Sequence, residues 1–377
     1  MKLLLLLLAL PIIGFGQNVN MPDANFKAYL VGNTTINTNG DSEIQVIEAS
    51  SFNGQIVCGG LNISNLTGIE AFTALIDLHC HSNQLTSLDV SSCTALTTLG
   101  CYGNQLTSLD VSGCTALTTL GCDFNQLTSL DVSACTALTA LYCQGNALTS
   151  LDVSGCTALT DLVCYGNQLT SLDVSACSAL TSLDCSGMQS LTNLDVSACT
   201  ALTSLDCIYN QSLTNLDLSA CTALTYLNCQ YTQLTSLDVR NGNNTNLTEF
   251  YSSNNLNLTC INVDDSTWST ANWTVANYNI DSQHYFSNNC SGAGISDINE
   301  SYSLMLYPNP TNGDFTITGL ELLGTVSSLT LNDMNGKVVK VLDTKATKFS
   351  MSLIKPGFYF LNIVSGNKQE VLKIVKE

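Results

Sequence analysis

Oxygen-bearing side chains recur near the N-terminus at the intervals of a twelve-residue calcium-binding loop. Within residues 37–48 the candidate ligands are Asn37, Asn39, Asp41, Glu43 and Glu48, at odd positions of the loop and at its last position. The first position is Asn instead of Asp and the sixth is Ser instead of Gly, so ligand charge is reduced and the sharp turn is disfavoured. The loop is either a weak calcium site or a metal-free segment that shapes an N-terminal cap.

Little else has the spacing of a catalytic or metal site. Asp77, His79 and His81 alternate on one strand and face the same way, a pattern that can chelate a transition metal, but no fourth ligand is identifiable. The chain has only 3 His and shows no Ser/His/Asp set or phosphate-binding loop. We therefore expect no enzymatic activity and no cofactor other than calcium.

An internal repeat runs through the middle of the chain and contains the Asp77, His79 and His81 strand. Within one coil, Leu99 and Cys101 alternate with more polar neighbours, which predicts a short strand with one buried face, and residues 109–112 alternate in the same way. This period predicts a mostly β solenoid whose coils have two extended sides joined by turns. The leucines that define the period, in steps of 21 and then 22, are Leu75, Leu96, Leu117, Leu138, Leu159, Leu180, Leu202 and Leu224.

The repeat resembles the leucine-rich repeat, L-x-x-L-x-L-x-x-N-x-L, with Cys at the third aliphatic position. The resemblance covers residues 61–259 and extends over eight coils. It implies that the first strand of each coil lines a concave face and that the recurrent Asn side chains bond to turn backbone inside the coil. These are Asn83, Asn104, Asn125, Asn146, Asn167 and Asn210.

Cysteine usage follows the same period. Of the 18 Cys, 15 fall in two columns of the repeat, where a thiol acts as a small hydrophobic side chain. Disulfide rungs and metal–thiolate binding are the alternatives, although neighbouring rungs have parallel Cβ vectors. Cys260 and Cys290 lie outside both columns and are the best disulfide candidate, closing a C-terminal cap around Trp268, Trp273 and Tyr278.

Variation within the repeat is confined mainly to the outward positions of the first strand and the residues just after it. Aromatic residues interleaved with Asp at these positions suit a protein or glycan ligand, because rings offer a large contact area at low entropic cost. Neutral drift on a soluble surface is the alternative. The candidate ligand-binding residues are Tyr102, Asp123, Phe124, Tyr142, Asp161, Tyr165, Asp184, Asp206, Tyr209, Tyr226 and Tyr231.

Charge excludes several classes of partner. Only two bases, Lys27 and Arg240, lie within residues 17–302, and with 24 acidic residues this segment carries a net charge of −22. Such a surface repels nucleic acid and anionic lipid, so we expect neither as a partner.

Eight of the acids form a column on the opposite side of the coils. Neighbouring carboxylates there repel by about 1 kcal/mol in water, and turn amides and hydroxyls, or divalent cations, must relieve them. The column is Asp89, Asp110, Asp131, Asp152, Asp173, Asp195, Asp217 and Asp238.

The N-terminus has the pattern of a secretory signal peptide. Lys2 precedes an apolar run over residues 3–13, and small residues follow before Gln17. The run is too short to span a bilayer, and no later stretch is long enough, so we expect no membrane insertion of the mature chain.

Composition changes after the glycine-rich segment Ser291–Gly294, which has the composition of a flexible linker. Eight of the 11 bases lie within residues 337–377, and short alternating runs separated by Pro-Asn-Pro, Asn-Gly and Ser-Gly turns predict a β-sandwich. Residues 303–377 are similar to the C-terminal sorting domain of the type IX secretion system. That resemblance implies recognition by an outer-membrane translocon, and release from or attachment to the surface of a Gram-negative cell.

The sequence thus predicts a leucine-rich-repeat solenoid with a small helical N-terminal cap, followed by an Ig-like β-sandwich. We expect an exported protein that binds a protein or glycan through its concave face; the alternative is a surface-coat or biofilm component with no discrete ligand, possibly stabilised by calcium. The predicted segments are a signal peptide (1–16), an N-terminal cap with a degenerate EF-hand-like loop (17–60), the solenoid (61–259), a C-terminal cap and linker (260–302) and the sorting domain (303–377).

Overall fold

The computed structural model describes residues 16–290, 304–323, 325–334, 336–365 and 368–377. Residues 1–15 of the predicted signal peptide and the predicted linker Ser291–Gly294 lie outside these ranges. The chain divides into two compact units, residues 1–290 and 291–377.

The first unit is a solenoid whose coils stack through a ten-stranded parallel sheet, here called the front sheet. Each strand is three residues long, and its middle residue is buried while its first residue is more exposed. Register is uniform, because each buried leucine or isoleucine pairs with its counterpart one coil away. The strands are β1 (Gln55–Val57), β2 (Asp77–His79), β3 (Thr98–Gly100), β4 (Thr119–Gly121), β5 (Ala140–Tyr142), β6 (Asp161–Val163), β8 (Ser182–Asp184), β10 (Ser204–Asp206), β12 (Tyr226–Asn228) and β14 (Glu249–Tyr251).

The opposite side of the coils, here called the back, is extended but less regular. Its early coils join only through isolated parallel bridges at Asp89, Asp110, Asp131 and Asp152. Later coils form a two-stranded and a four-stranded sheet. Their strands are β7 (Ser171–Asp173), β9 (Asn193–Asp195), β11 (Asn215–Asp217), β13 (Ser236–Asp238), β15 (Cys260–Asn262) and β16 (Tyr285–Ser287).

The interior of the solenoid is built from the repeated leucines and cysteines. Leu99, Cys101 and Leu106 have no exposed surface, and the same holds for their counterparts in the neighbouring coils. The sheet and its core extend beyond the predicted solenoid at both ends. Ile56 and Cys58 add a coil before residue 61, and β15 and β16 continue the back after residue 259.

An N-terminal cap covers the first coil and contains a helix over residues 24–31, in agreement with the small helical cap predicted from the sequence. Asp23 caps this helix by accepting hydrogen bonds from the backbone amides of Asn25 and Phe26, and it also accepts from the Ser64 amide of the first coils. Phe26 and Leu30 are fully buried. The helices of the solenoid unit are α1 (Ala24–Val31), α2 (Val46–Ser51) and α3 (Ser266–Asn272), with 3-10 turns at Ile69–Ala71 and Asn244–Asn246.

Aromatic residues close the C-terminal end of the solenoid. The Trp273 ring stacks on Phe250 with centroids 4.2 Å apart and meets Trp268 edge-on at 5.5 Å. The Tyr278 side chain is 77% exposed, so the prediction that it belongs to the core of this cap is wrong. It lies in a tight turn, where its amide donates to the Val275 carbonyl oxygen at 3.0 Å, and it has a left-handed φ of 60°.

The second unit is a β-sandwich of two antiparallel sheets, ordered β17-β18-β21 and β20-β19-β22-β23, as the alternating runs predict. Phe315, Leu329, Leu361 and Ile374 are buried between them. No helix within the described ranges has the length and hydropathy needed to cross a bilayer. The strands are β17 (Met305–Tyr307), β18 (Asp314–Thr318), β19 (Ser328–Asn332), β20 (Val338–Val341), β21 (Lys348–Ser350), β22 (Gly357–Ser365) and β23 (Lys368–Lys376), with a 3-10 turn at Leu320–Leu323.

Candidate functional site

The front of the solenoid carries all the predicted ligand-binding residues in three parallel columns. The strand column consists of the first and third residues of the front strands, the exit column follows the buried Cys of each coil, and the turn column follows the exit column. Because rungs are about 4.8 Å apart, residues in one column of neighbouring coils are within contact distance. The strand column holds Tyr142, Asp161, Asp184, Asp206 and Tyr226; the exit column holds Tyr102, Asp123 and Tyr165; the turn column holds Phe124, Tyr209 and Tyr231.

The structure does not bring these eleven residues together into one site. Tyr102 and Tyr231 are six coils apart, a distance of roughly 29 Å along the sheet. The residues are spread over seven successive coils. An N-terminal group runs from Tyr102 to Tyr165, and a C-terminal group, from Asp184 to Tyr231, begins in the adjoining coil.

The N-terminal group begins with a ring stack that the sequence reading did not predict. The imidazole of His81 lies parallel to the Tyr102 ring, with centroids 4.5 Å apart. Asp123 follows in the next coil and is only 8% exposed, which differs from the expected open surface position. Burial raises the pKa of the Asp123 carboxyl.

The C-terminal group is a connected cluster of rings and polar side chains. The Asp206 carboxylate accepts hydrogen bonds from the Tyr226 hydroxyl at 3.3 Å and from the Asn228 amide at 3.4 Å. Burial raises the pKa of Asp206, and the nearby charge of Asp184 raises it further. Tyr251 contacts Tyr226 edge-on, with centroids 6.3 Å apart, and is a member of this cluster that the sequence did not identify.

The turn column has a left-handed backbone in every coil. Its glycines have φ values near 65°, as at Gly145 and Gly166, which a side chain would strain. Phe124, Tyr209 and Tyr231 nevertheless adopt φ values of 51°, 62° and 54°, a conformation that is an outlier for bulky residues. The glycines scattered through this column were the sequence signal for its turn geometry.

The back column of acids is hydrogen-bonded within its own turns. Each Asp oxygen accepts a hydrogen bond from the backbone amide two residues later, at 3.0 Å for Asp89 and Ser91 and at 2.9 Å for Asp152 and Ser154. Hydrogen bonds from Ser91 lower the pKa of Asp89. Turn amides and hydroxyls, one of the two alternatives for this column, thus stabilise the charged carboxylates.

The calcium-like loop is closed by hydrogen bonds among its own candidate ligands. Glu48 Oε1 accepts from the Thr38 amide at 2.8 Å and from the Asn39 amide at 3.2 Å, and Glu48 Oε2 accepts from the Gln45 amide at 3.0 Å. Burial opposes the ionisation of Glu48, but these hydrogen bonds outweigh it and lower its pKa.

The other candidate ligands in the loop are similarly engaged. Asn37 Oδ1 accepts from the Gly40 amide at 3.0 Å, Asp41 Oδ1 accepts from the Glu43 amide at 2.7 Å, and Glu43 pairs with Lys27 at 2.6 Å. The side chain of Asn39 donates to Asp41 Oδ2 at 3.0 Å. A calcium ion would have to displace several of these bonds, and the calcium site stays a prediction.

The Asp77, His79 and His81 pattern does not form a cluster of metal ligands. Asp77 Oδ1 accepts a hydrogen bond from the Thr97 hydroxyl at 3.1 Å, and the His81 ring is held against Tyr102. Throughout the described residues, no group of three or more His, Cys, Asp and Glu side chains is arranged to hold a metal ion.

The periodic cysteines are buried free thiols. All 15 of them and Cys58 lack a disulfide partner, and burial raises the pKa of Cys101 and Cys143 to about 12. The sulfur atoms of Cys260 and Cys290 lie 2.02 Å apart, at disulfide-bond distance.

Comparison with known proteins identifies the second unit. Residues 305–377 match the family described as Secretion system C-terminal sorting domain. This unit is a sorting domain. The chain that carries it is a secreted or cell-surface protein, as the motifs of its last 75 residues predict. No curated protein matches the chain.

Several solved structures are similar to the chain. The functional domain of InlJ from Listeria monocytogenes, which includes a cysteine ladder, is 23% identical, with a TM-score of 0.34 over 96% of this chain and 99% of that chain. Internalins InlF and InlC2 of the same organism are 20% and 19% identical, with TM-scores of 0.44 and 0.46, over 73% and 66% of this chain and 94% and 97% of theirs.

The coil geometry itself is that of a leucine-rich-repeat solenoid. Inward leucines, a continuous parallel front sheet and turns bonded by buried Asn side chains recur in successive coils. Asn104, for example, donates to the carbonyl oxygens of Cys80 and Cys101 at 3.1 and 2.9 Å and accepts from the Leu85 amide at 3.0 Å.

Proposed function

We propose that this protein is exported by the type IX secretion system and acts outside a Gram-negative cell, where the front of its solenoid binds a protein or glycan. The observation that carries the proposal is the contrast between columns of one coil. Interior and back columns repeat nearly unchanged, whereas the three front columns change from coil to coil and hold half-exposed aromatic side chains beside carboxylates.

The export part of the proposal rests on the sorting domain at residues 305–377 and on the signal-peptide pattern at residues 1–16. We propose the outer-membrane translocon of the secretion system as the partner of the sorting domain. The solenoid is then the cargo, since it is the larger unit and contains the variable surface.

The recognition part rests on what the front offers chemically. Phe124 and Tyr209 are 53% and 47% exposed, and large rings at such positions contribute strongly to binding when a partner covers them. The scarcity of bases in the solenoid favours neutral or cationic ligand groups over phosphate. The front presents contacts and no constellation of nucleophile, base and oxyanion donors, so we propose binding without catalysis.

Deletion of residues 303–377 tests the export part. The shortened chain should accumulate in the periplasm, while the full chain reaches the medium or the cell surface. Cell fractionation with an antibody against the solenoid measures this, and surface delivery of the shortened chain would contradict the proposal.

Substitution of front and back side chains tests the recognition part. The full mature chain is used to capture host proteins and to probe a glycan array, beside a Tyr142→Ser/Tyr165→Ser front variant and an Asp131→Asn/Asp152→Asn back variant. Only the front variant should lose most of the captured ligand. Equal capture by both variants would place the binding surface elsewhere.

A further inference from the structure

One part of the front combines partly exposed rings with a buried hydrogen-bond acceptor, Gln144 Oε1, that lacks a donor in the described part of the chain. It spans four successive coils and consists of Tyr102, Asp123, Phe124, Gln144 and Tyr165, here called the ring–acceptor patch. Backbone bonds fix its registration, since the Phe124 amide donates to the Gln144 carbonyl at 2.9 Å and the Gly145 amide donates to the Tyr165 carbonyl at 2.9 Å.

The acceptors are the first part of the argument. Gln144 Oε1 is buried and has no hydrogen-bond partner among the described residues. The Asp123 side chain is almost covered, and the structure pairs it with no basic residue. The two bases of the solenoid are committed elsewhere, Lys27 to Glu43 and Arg240 to Asp238. A buried acceptor without a donor costs free energy, and a ligand that brings donors removes that cost.

The second part of the argument is the strained ring beside these acceptors. Phe124 has a φ of 51°, in a column where four other coils use Gly at positive φ, and such strain is typically kept at functional sites. Its ring lies over Gly145, where an added Cβ would come within 2.7 Å of Phe124 Cδ1. The glycine thus lets the ring lie flat along the patch and still be 53% exposed.

We propose that the ring–acceptor patch binds a neutral oligosaccharide, an inference that rests on the proposed recognition function and names its ligand class. Sugar hydroxyls donate to Gln144 Oε1 and to the Asp123 carboxylate, while the apolar C–H face of a pyranose packs on the rings of Phe124 and Tyr165. Tyr102, held by its stack with His81, extends the surface by one further coil.

Other ligand classes fit the patch less well. Phosphorylated or sulfated ligands meet no base within the patch and a net charge of −22 on residues 17–302. A lysine-rich peptide could pair with Asp123, but its ammonium groups would leave the broad apolar faces of Phe124 and Tyr165 largely uncovered.

Binding of neutral and acidic glycans on an array, followed by calorimetry with the best neutral oligosaccharide, tests the proposal on the full mature chain. Phe124→Gly and Gln144→Leu should each weaken binding about tenfold. The matched control is Tyr278→Gly, which removes an exposed aromatic ring at a left-handed position of the C-terminal cap, outside the front columns, and should leave the affinity unchanged.

Phe124→Gly suits a left-handed position, so its thermal unfolding temperature should not fall, which separates lost binding from lost fold. The proposal is overturned if no neutral glycan binds, if oligolysine binds in place of the glycans, or if Tyr278→Gly weakens binding as much as Phe124→Gly. If no glycan binds but the Tyr142→Ser/Tyr165→Ser variant no longer captures a protein that the unsubstituted chain captures, only the proposed ligand class is wrong. If that variant also captures normally, the recognition function itself fails.

Discussion

The front columns of the solenoid differ from the rest of each coil in how strongly the structure constrains their side chains. In the interior and on the back, each side chain has a fixed structural partner: Asn104 bonds to turn backbone, and Asp152 bonds to the Ser154 amide. On the front, neighbouring coils carry unrelated residues at equivalent positions, as Asp123 and Gln144 do.

This difference teaches where a repeat protein can change without losing its fold. Substitution at a position that is bonded to backbone or packed in the core lowers the free energy of unfolding. Substitution at a half-exposed position on a short front strand changes it little, because the side chain there has few structural partners. Four substitutions or conditions, ordered by expected effect, probe this contrast.

Removal of a buried Asn should have the largest effect. Asn104→Ala removes the bonds that Asn104 donates to the Cys80 and Cys101 carbonyl oxygens, which keep only those from Asn83 and Asn125. It also leaves the buried Leu85 amide without an acceptor, so the free energy of unfolding should fall by about 3 kcal/mol. Tyr102→Ala in the same coil is the front control and should cost less than about 1 kcal/mol. Chemical denaturation measures both, and comparable losses would erase the proposed distinction.

A hydroxyl in the cysteine interior should have the next largest effect. Cys122 has no exposed surface, so Cys122→Ser buries a polar group and should cost about 1–2 kcal/mol more than Cys122→Ala. The same denaturation experiment compares the two variants. A Ser variant as stable as the Ala variant would show that these thiols are not packed as hydrophobic side chains.

A methyl group in the turn column should cost less. Gly166 has a φ of 65°, and an added Cβ would meet nothing closer than 3.7 Å, so Gly166→Ala isolates backbone strain and should cost about 1 kcal/mol. Gly155 lies in a back turn where neighbouring coils hold Ala134 and Ala176. A small shift, as those coils already make, relieves the 3.0 Å contact of an added Cβ with the Ser133 carbonyl oxygen, so Gly155→Ala should cost less than half as much. Equal costs would mean that the two turns impose the same backbone demand.

Acid should have the smallest effect per residue. Hydrogen bonds from Ser133 and Ser154 lower the pKa of Asp131 and Asp152, so their stabilisation is present above the ordinary value of 3.8 and is lost as pH falls through the lowered values. Asp152→Asn keeps an acceptor but does not titrate. Between neutral and strongly acidic pH, the free energy of unfolding of this variant should fall less than that of the unsubstituted chain. An equal fall would show that the turn hydrogen bonds of Asp152 do not contribute to the acid sensitivity.

Sequence periodicity predicted the stacking and the buried cysteines, and the resemblance to the leucine-rich repeat implied the Asn-bonded turns, because each depends on a residue type that repeats with the coil. It missed the first coil, although Ile56 and Cys58 have the same spacing as Leu78 and Cys80. This one coil matches the repeat pattern at only these two positions, which was too little to extend the predicted solenoid before residue 61.

The candidate site was predicted only as a surface. Column positions follow from the repeat, but the burial of Asp123, the stack of His81 on Tyr102 and the missing donor at Gln144 depend on side-chain packing between coils. Such contacts involve residues that differ from one coil to the next, and no period describes them.

Hydroxyl-radical footprinting of the full mature chain, with and without its captured ligand, tests the central claim most directly. Recognition by the front predicts protection of Tyr102, Phe124, Tyr142 and Tyr165, with the back residues around Asp89 to Asp238 unchanged. Protection confined to the back, or to the sorting domain, would contradict the account.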